Sequence, residues 1–315
     1  MTDTMKAWVT DGKGGIAFRE IPVPVPARDE ALIECHSTTV SRGEIRHLAY
    51  TPEGRILGLD LAGVVIKQAA DGSGPPVGAR VIAMTGHSGG GFGQKAVLPA
   101  ATLGVIPDAL TWAEAGVLPN QGLTAFYSIR HAGLLVGKRV LVTGVTGGVA
   151  RIAAQLAQLG GAEVTGTVSR PERVDAVKAL NLAQVCVGTD VQGPFDLIVD
   201  TIGGAVLGHA LDIVGPEGVV VTMGGGDGFD APPDPAVVPN GWFFKHPGAR
   251  LQAENVGLHV IRRDGVAEKL ATLATLVASK KIMLDVDEVS WREAERLANE
   301  LKAGAPASRT ALIID

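Results

Sequence analysis

The stretch Val140-Leu-Val-Thr-Gly-Val-Thr-Gly-Gly-Val-Ala150 reads as a buried β-strand, a glycine turn and the start of a helix. The first amides of a helix have no intrahelical partner and carry a partial positive charge, so a diphosphate binds there when no side chain blocks the turn. Gly144 permits the tight turn, Gly147 lets the backbone approach the phosphates, and Gly148 or Ala150 lets the helix pack on the strand. The spacing is G-x-x-G-G-x-A rather than G-x-G-x-x-G, and in its context it predicts a dinucleotide site. The predicted site comprises Gly144, Thr146, Gly147, Gly148 and Val149.

The surrounding sequence completes a βαβ unit. Apolar residues recur at helical spacing from Val149 to Leu156, and Glu163–Val168 reads as a second strand. Helix-length segments separate most of the further strands, so the sheet is predicted to be parallel and doubly wound. Those further strands are predicted at Gln184–Val187, Phe195–Asp200, Gly218–Met223 and Val256–Ile261.

The residues after the second strand bear on which dinucleotide binds. A carboxylate at that strand end would favour NAD, but this chain has Ser169, followed by Arg170 and Arg173. Guanidinium groups match the geometry of a 2′-phosphate, so NADP is the preferred prediction over NAD. The alternative is that the two arginines lie on a solvated helix start.

Composition limits the class of protein. The 315 residues suffice for two domains, and 42 glycines with 4% aromatic residues suit a turn-rich α/β protein. A net charge of −5 argues against a nucleic-acid surface, and no apolar segment is long enough to span a bilayer. The first residues lack the pattern of a signal peptide, and Cys35 and Cys186 read as ordinary buried thiols. We therefore expect a cytoplasmic protein that binds neither nucleic acid nor membrane.

The first 115 or so residues have a different pattern of apolar residues, glycines and prolines. Short apolar runs at Ala31–Cys35, Leu61–Ile66, Arg80–Met84 and Lys95–Leu98 alternate with Gly and Pro clusters, which predicts a compact, mostly antiparallel β domain. A helix is predicted near Thr111–Arg130. The tail is predicted to form helices at Val266–Ser279 and Trp291–Lys302, and strands at Met283–Val286 and Thr310–Ile314.

Five segments in this order resemble a known family: Lys6-Ala-Trp, Gly58-Leu-Asp-Leu-Ala-Gly-Val-Val65, Gly91-Phe-Gly-Gln-Lys-Ala-Val-Leu-Pro99, Leu118-Pro-Asn-Gln-Gly-Leu-Thr-Ala125 and Gly137-Lys-Arg-Val-Leu-Val-Thr-Gly144. The chain resembles the medium-chain dehydrogenases/reductases of the zinc-independent quinone oxidoreductase (zeta-crystallin-like) branch. The resemblance implies an α/β protein with a GroES-like β-barrel domain (1–117 and 263–315) and a Rossmann domain (118–262). It also implies a homodimer or homotetramer, often joined through the edge of the Rossmann sheet.

The resemblance also bears on metals. Zinc-using relatives carry a Gly-His-Glu segment where this chain reads Gly58-Leu59-Asp60, and two isolated cysteines cannot form a Cys₄ site. We therefore expect no metal.

The family's substrate loop, often Asn-x-x-Asp-x-x-x-Arg, corresponds here to Ser41–Tyr50. Glu44 matches the acidic position, Ser41 replaces the asparagine, and Arg46 stands where a tyrosine can occur. These departures leave the acceptor undefined. The predicted catalytic residues are Tyr50, Arg46 and Glu44, and Ser41 and Arg42 are predicted to bind substrate. The alternatives are that Tyr50 caps a loop and that Glu44 and Arg46 form a surface pair.

Other residues are assigned by position. Thr124 matches a family position near the nicotinamide, although a helix threonine can simply bond its own backbone. Met223, Gly224 and Gly225 end a strand at the edge where open α/β sheets bind ligands, with a plain turn as the alternative. Arg309 either reaches a cofactor phosphate or is a surface charge. Asn240, Trp242 and Phe243 either line the substrate site or fill a core or subunit interface.

These observations predict an NADPH-dependent, zinc-independent oxidoreductase that transfers hydride to a quinone or an α,β-unsaturated carbonyl. One alternative is a zinc-free alcohol or carbonyl dehydrogenase. The other is a non-catalytic protein that binds NADPH and regulates a partner. The sequence leaves open whether the proton comes from a side chain or from water.

Overall fold

The computed structural model describes residues 3–86, 89–223, 236–238, 241–303 and 310–315. Up to residue 105 the chain forms mostly β-strands. After residue 105, helices and strands alternate along the chain. In chain order the elements are β1 (Thr4–Thr10), β2 (Ile16–Pro22), β3 (Glu30–Thr39), α1 (Arg42–His47), β4 (Asp60–Lys67), β5 (Arg80–Met84), β6 (Lys95–Pro99), β7 (Gly104–Val105), α2 (Trp112–Ile129), β8 (Arg139–Val142), α3 (Gly148–Leu159), β9 (Glu163–Val168), β10 (Gln184–Val187), β11 (Phe195–Asp200), α4 (Gly204–Ile213), β12 (Val214–Thr222), α5 (Trp242–Lys245), β13 (Arg250–Ala253), α6 (Val256–Arg262), α7 (Val266–Ala278), β14 (Asp287–Ser290), α8 (Ala294–Lys302) and β15 (Thr310–Ile313).

Internal packing divides the chain into two compact units. The first comprises residues 1–123 and 256–315, and the second comprises residues 124–255. The first division falls inside α2, between Leu123 and Thr124.

The first unit is built on a seven-stranded sheet of order β14-β15-β3-β4-β5-β7, with β6 also paired to β3. All its pairings are antiparallel except β14 with β15. The last strand, β15, pairs with β3, so both ends of the chain contribute to one sheet. The core joins them too, since Trp8 Nε1 donates to the carbonyl of the buried Trp291 at 2.9 Å.

The second unit contains a six-stranded parallel sheet of order β10-β9-β8-β11-β12-β13. The chain runs outward from β8 to β10 and returns to β11 on the other side of β8. The strand order therefore reverses between β8 and β11, which is where open α/β sheets bind ligands. The sheet buries Leu141, Ile198 and Val220 in a core with α4. The predicted α/β fold, with an antiparallel domain and a parallel Rossmann-like sheet, is confirmed.

Two predicted strands were wrong. The segment Val256–Ile261, predicted as a strand, lies in α6, where Gly257 and Val260 are buried at helical spacing. The segment Met283–Val286 is not a strand either. The strand in this part of the chain is β14, which begins at the next residue, Asp287.

In the described part of the chain, no helix has both the length and the apolar character needed to cross a membrane.

Candidate functional site

The glycine turn after β8 has the shape that the sequence predicts. Gly144 adopts φ +66°, which favours glycine, and a Cβ there would lie 2.9 Å from Cδ1 of Ile202. The turn is tied to the next strand, because the amides of Gly144 and Val145 donate to the hydroxyl (3.2 Å) and carbonyl (2.9 Å) of Thr167. The backbone of the turn is therefore held in a fixed position at the edge of the sheet.

The start of α3 presents its first amides without a side-chain cap. Gly147 is the N-cap residue and forms no side-chain hydrogen bond, and the Arg151 amide donates to the Gly147 carbonyl at 2.9 Å. The preceding amides of Gly148, Val149 and Ala150 have no intrahelical acceptor. Together with the missing Cβ at Gly147, this leaves a backbone cradle of the kind that holds a phosphate group. The residues present therefore fit a dinucleotide diphosphate.

Asp200 fixes the carboxyl ends of three neighbouring strands. Its side chain is fully buried and accepts hydrogen bonds from the hydroxyls of Thr143 (3.0 Å) and Thr222 (2.9 Å). It also accepts from the amides of Ile202 (3.2 Å) and Gly203 (3.0 Å). Thr143, Ile202 and Gly203 follow β8 and β11, and Thr222 ends β12, so Asp200 holds the carboxyl ends of these three strands together.

Ile202 lies beside the glycine turn but is not among the site residues that the sequence predicts. This side chain is 44% exposed although it is apolar, and it lies against the Gly144 turn. Its neighbour Thr201 donates its hydroxyl to the Thr143 carbonyl at 2.9 Å. The signal in the sequence was the position directly after β11, at the reversal of strand order.

The residues after β9 lie on the surface. Ser169 and Arg170 are exposed and Arg173 is half-buried in a short 3₁₀ turn, Pro171–Arg173. Arg170 has only a loose, solvent-exposed pairing with Glu172, at 3.8 Å between Nε and Oε2. Such a pair contributes little, so the guanidinium groups can reorient toward a phosphate.

Two other predicted cofactor residues lie close together. The hydroxyl of Ser128 donates to the Thr124 carbonyl at 2.7 Å and lies 3.8 Å from the sulfur of Met223. Thr124 is buried and Met223 half-buried. Gly224, Gly225, Arg309 and Asn240 lie outside the described residues.

In the first unit, Glu44 forms a capping box with Ser41 at the start of α1. Its Oε1 accepts from the amides of Gly58 (2.8 Å) and Leu59 (3.0 Å), and its Oε2 lies 3.2 Å from Ser41 Oγ and 3.4 Å from the Ser41 amide. The side chain is only 8% exposed. The alternative that Glu44 forms a surface pair with Arg46 is therefore wrong, because the carboxyl group turns inward to the backbone.

Arg42 and Tyr50 are exposed, with Tyr50 61% exposed, and Arg46 is half-buried. These three side chains and Ser41 lie on α1 and the 3₁₀ turn that follows it, Leu48–Tyr50.

A second buried carboxyl group, which the sequence analysis did not single out as a site residue, accompanies Glu44. Asp60 is fully buried at the start of β4; its Oδ1 accepts from the Asn120 amide at 2.6 Å, and its Oδ2 has no hydrogen-bond partner among the residues that the structure describes. Burial raises the pKa of Glu44 to about 7 despite the amides that donate to it. Burial also raises the pKa of Asp60 well above its ordinary value, and the Glu44 charge raises it further.

The aromatic cluster after residue 240 divides into a core and a surface part. Trp242 packs against the core of the second unit and donates from Nε1 to the Leu211 carbonyl at 2.6 Å. Phe243 is 65% exposed, with its ring 4.0 Å from that of the exposed Phe244.

Across the described ranges, no group of three or more His, Cys, Asp or Glu side chains is placed to hold a metal ion.

Comparison with known proteins gives a consistent picture. Residues 174–304 match the family model described as zinc-binding dehydrogenase. Quinone-oxidoreductase QR1 of Triphysaria versicolor is 31% identical over 58% of this chain and 60% of its own length. Prostaglandin reductase-3 of Bos taurus is 27% identical over 68% of this chain and 60% of its own. Polyketide synthase GfsB of Streptomyces halstedii is 32% identical over 65% of this chain, which is 4% of that protein. The chain thus spans less than two thirds of each of these relatives.

Solved structures share the whole fold. The quinone oxidoreductase from Coxiella burnetii superposes with a TM-score of 0.82 at 21% identity, covering 99% of this chain and 100% of that one. The CurK enoyl reductase gives a TM-score of 0.84 at 18% identity, with the same coverage of both chains. In its family-model match, its relatives and its fold, the chain is therefore similar to quinone oxidoreductase-like medium-chain dehydrogenases/reductases.

Proposed function

We propose that the chain is an NADPH-dependent, zinc-independent oxidoreductase that reduces a quinone or an α,β-unsaturated carbonyl. The observation that carries the proposal is the uncapped start of α3 behind the Gly144–Gly147 turn, placed where the strand order reverses. The bound cofactor would supply the hydride. The names of the relatives, among them a quinone oxidoreductase and a prostaglandin reductase, support the class of acceptor.

In this proposal each group of residues has a distinct role. The amides of Gly148, Val149 and Ala150 bind the diphosphate, and Arg170 and Arg173 bind the 2′-phosphate. Thr124 and Met223 lie on the nicotinamide side. The residues Ser41, Arg42, Arg46 and Tyr50 contact the acceptor.

The specificity for NADPH is tested by binding titrations of NADPH and NADH. We expect Arg173→Ala to weaken NADPH binding about 10- to 100-fold, the range of a charged hydrogen bond, and to change NADH binding less than about twofold. Arg139→Ala is the matched control, since Arg139 is an exposed arginine at the opposite, amino end of β8. Equal losses for both coenzymes would contradict the assignment of the arginines.

The class of acceptor is tested by NADPH oxidation with a benzoquinone, an α,β-unsaturated aldehyde and an enoyl thioester. The reverse assay, NADP reduction with simple alcohols, separates the alcohol dehydrogenase alternative. We expect turnover with at least one of the three acceptors and none with the alcohols. NADPH binding without any turnover would instead support a non-catalytic role.

A further inference from the structure

We propose that Thr167 and Thr201 are positioning residues for the dinucleotide. Their hydroxyls hold a single peptide unit, the one that joins Thr143 to Gly144, in the orientation from which the cradle at the start of α3 follows. The inference rests on the proposed function and deepens it, because it names side chains that act on the cofactor through the backbone. All four residues lie in the second compact unit.

The peptide between Thr143 and Gly144, here the 143–144 peptide, is the point where β8 leaves the sheet. β8 pairs with both neighbouring strands up to its last residue, Val142. The next amide, of Thr143, still donates to a backbone carbonyl of β11 at 3.0 Å, and the amide of Val145 donates to one of β9 at 2.9 Å. Between these two bonds lie the Thr143 carbonyl and the Gly144 amide, and both bond to side-chain hydroxyls.

Two threonines supply these hydroxyls, one at each end of the peptide. Thr201 Oγ1 donates to the Thr143 carbonyl at 2.9 Å, and Thr167 Oγ1 accepts from the Gly144 amide at 3.2 Å. Thr201 directly follows β11 and Thr167 lies on β9, so the peptide is held from both sides of β8. Threonine suits this role because its branched Cβ restricts χ1 and so limits where the hydroxyl can point.

A third hydroxyl fixes Thr201 in place. Thr143 Oγ1 donates to Asp200 Oδ1 at 3.0 Å and accepts from the Thr201 amide at 3.0 Å. Thr143 is 2% exposed and Asp200 is fully buried, so water does not compete for these bonds. Thr201 is therefore bonded to Thr143 through both its amide and its hydroxyl, which keeps the hydroxyl on the Thr143 carbonyl.

The orientation of the 143–144 peptide is passed on to the start of the helix. The Gly144 carbonyl accepts from the Gly147 amide at 2.9 Å, and the Gly147 carbonyl accepts from the Arg151 amide at 2.9 Å. Rotation of the peptide changes ψ of Thr143 and φ of Gly144, a residue type with few steric limits on φ. We expect such a rotation to displace Gly147 and the first amides of α3, which form the cradle.

Loss of either hydroxyl leaves one polar group of the peptide unsatisfied. Without Thr201, the carbonyl of the buried Thr143 would turn toward water, and the whole peptide would turn with it. Binding of a diphosphate must then restore the original orientation, and the apparent affinity falls by the fraction of molecules that keep it. We expect a loss of about 3- to 10-fold for each hydroxyl, the range of one neutral hydrogen bond.

Titration of the whole chain with NADPH, followed by cofactor fluorescence, tests this role. Thr167→Val and Thr201→Val each remove one hydroxyl, whereas Thr167→Ser and Thr201→Ser keep it. We expect each valine variant to raise the Kd for NADPH about 3- to 10-fold and each serine variant to stay within about twofold of the wild type. Thermal unfolding shows that each variant is folded at the temperature of the titration.

Thr165→Val is the matched control. Thr165 is also buried, at 6% exposed, and lies two residues before Thr167 on the same face of β9, where its backbone pairs with Leu141 and Gln184. This variant should bind NADPH as the wild type does. The double variant Thr167→Val, Thr201→Val should lose less affinity than the product of the two single losses, because loss of one hydroxyl already lets the shared peptide rotate.

Hydrogen exchange of the protein without cofactor measures the turn independently of binding. The Gly147 amide, whose acceptor is the Gly144 carbonyl, should exchange faster in both valine variants and at the wild-type rate in Thr165→Val. Wild-type affinity and wild-type exchange of this amide in both folded valine variants would overturn the positioning role, as would an equal loss of affinity in Thr165→Val. If the wild type binds no NADPH, the proposed function fails, and the exchange rates alone decide whether the two threonines hold the turn.

Discussion

Burial raises the pKa of Glu44 from its ordinary value of 4.5 to about 7 in the folded protein. The native state therefore binds this proton more tightly than the unfolded chain does. The stability that results is fully present below pH 4.5 and is lost as pH rises through 7. At roughly 1.4 kcal/mol per pKa unit, the loss is about 3 kcal/mol.

We therefore predict that the unfolding free energy of the wild type decreases more steeply between pH 4.5 and 8 than that of Glu44→Gln, by about 3 kcal/mol. Denaturant unfolding at several pH values measures this difference. Glu295→Gln, which changes an exposed glutamate of α8, is the control and should follow the wild type. Parallel pH profiles for the wild type and Glu44→Gln would contradict the burial argument.

At the same scale, the sequence identified the acidic position but not its surroundings. An acid between two arginines on a six-residue helix has the pattern of a surface ion pair. Glu44 turns inward instead because the backbone amides of Gly58 and Leu59, fourteen and fifteen residues away, donate to its Oε1. Contacts of this kind depend on tertiary structure and leave no local pattern. The conformation of the glycine turn could be predicted because it depends on neighbouring residues of the chain, chiefly Gly144 and Gly147.

At the scale of elements, a buried side chain of β4 contacts the middle of the continuous helix α2. Pro119 lies inside α2 and has no N–H to continue the helical hydrogen bonds. At the next residue the Asn120 amide donates to Asp60 Oδ1 at 2.6 Å. Asp60 thus joins β4 to the middle of the helix, within the first unit.

We predict that Asp60→Ala lowers the unfolding free energy by about 2 kcal/mol, the cost of losing the acceptor of a part-buried amide. Asp60→Asn keeps an oxygen at this position and should cost less than about 1 kcal/mol. Denaturant unfolding at pH 7 compares the two variants. Equal destabilisation by both would show that the hydrogen bond to Asn120 does not stabilise this part of the fold.

The predicted elements fail where strands are not buried. The strands Glu163–Val168, Gln184–Val187 and Phe195–Asp200 have the bounds that their apolar residues predict. By contrast, β13 and β14 are mostly exposed and rich in polar residues. They therefore lack the run of apolar residues from which a strand is predicted. The apolar residues of Val256–Ile261 predicted a strand, but this segment lies in helix α6. Its Leu258 and Ile261 are 48% and 63% exposed. A short run of apolar residues therefore does not by itself distinguish a strand from a helix.

At the scale of the whole molecule, the outer edge of the parallel sheet is the candidate for self-association. All four residues of β13 are exposed, and apolar side chains are exposed on this strand and the preceding helix, notably Leu251 (50%) and Phe244 (80%). Among the described residues β13 pairs only with β12, and the open edge of such a strand readily pairs with the same edge of a second copy about a two-fold axis. We propose that two copies of the chain associate through β13, in line with the resemblance.

Sedimentation velocity tests this association. We predict that the wild type sediments as a dimer or tetramer and that the double variant Leu251→Lys, Phe244→Lys dissociates. Val105→Lys changes an apolar residue of β7 that is also 50% exposed, and it should leave the assembly intact. A monomeric wild type, or an assembly that the double variant leaves intact, would contradict the proposal.

We make one proposal above all, that the start of α3 holds the diphosphate of a nicotinamide dinucleotide. Its most direct test is an equilibrium titration of the folded protein with NADPH, followed by cofactor fluorescence, beside the variant Gly147→Val, whose side chain would fill the cradle at the helix start. We predict saturable binding by the wild type and a loss of at least about 100-fold in Gly147→Val, with thermal unfolding showing that the variant is folded at the temperature of the titration. If neither NADPH nor NADH binds to the folded wild type, or if Gly147→Val binds as tightly, the assignment of this site is contradicted.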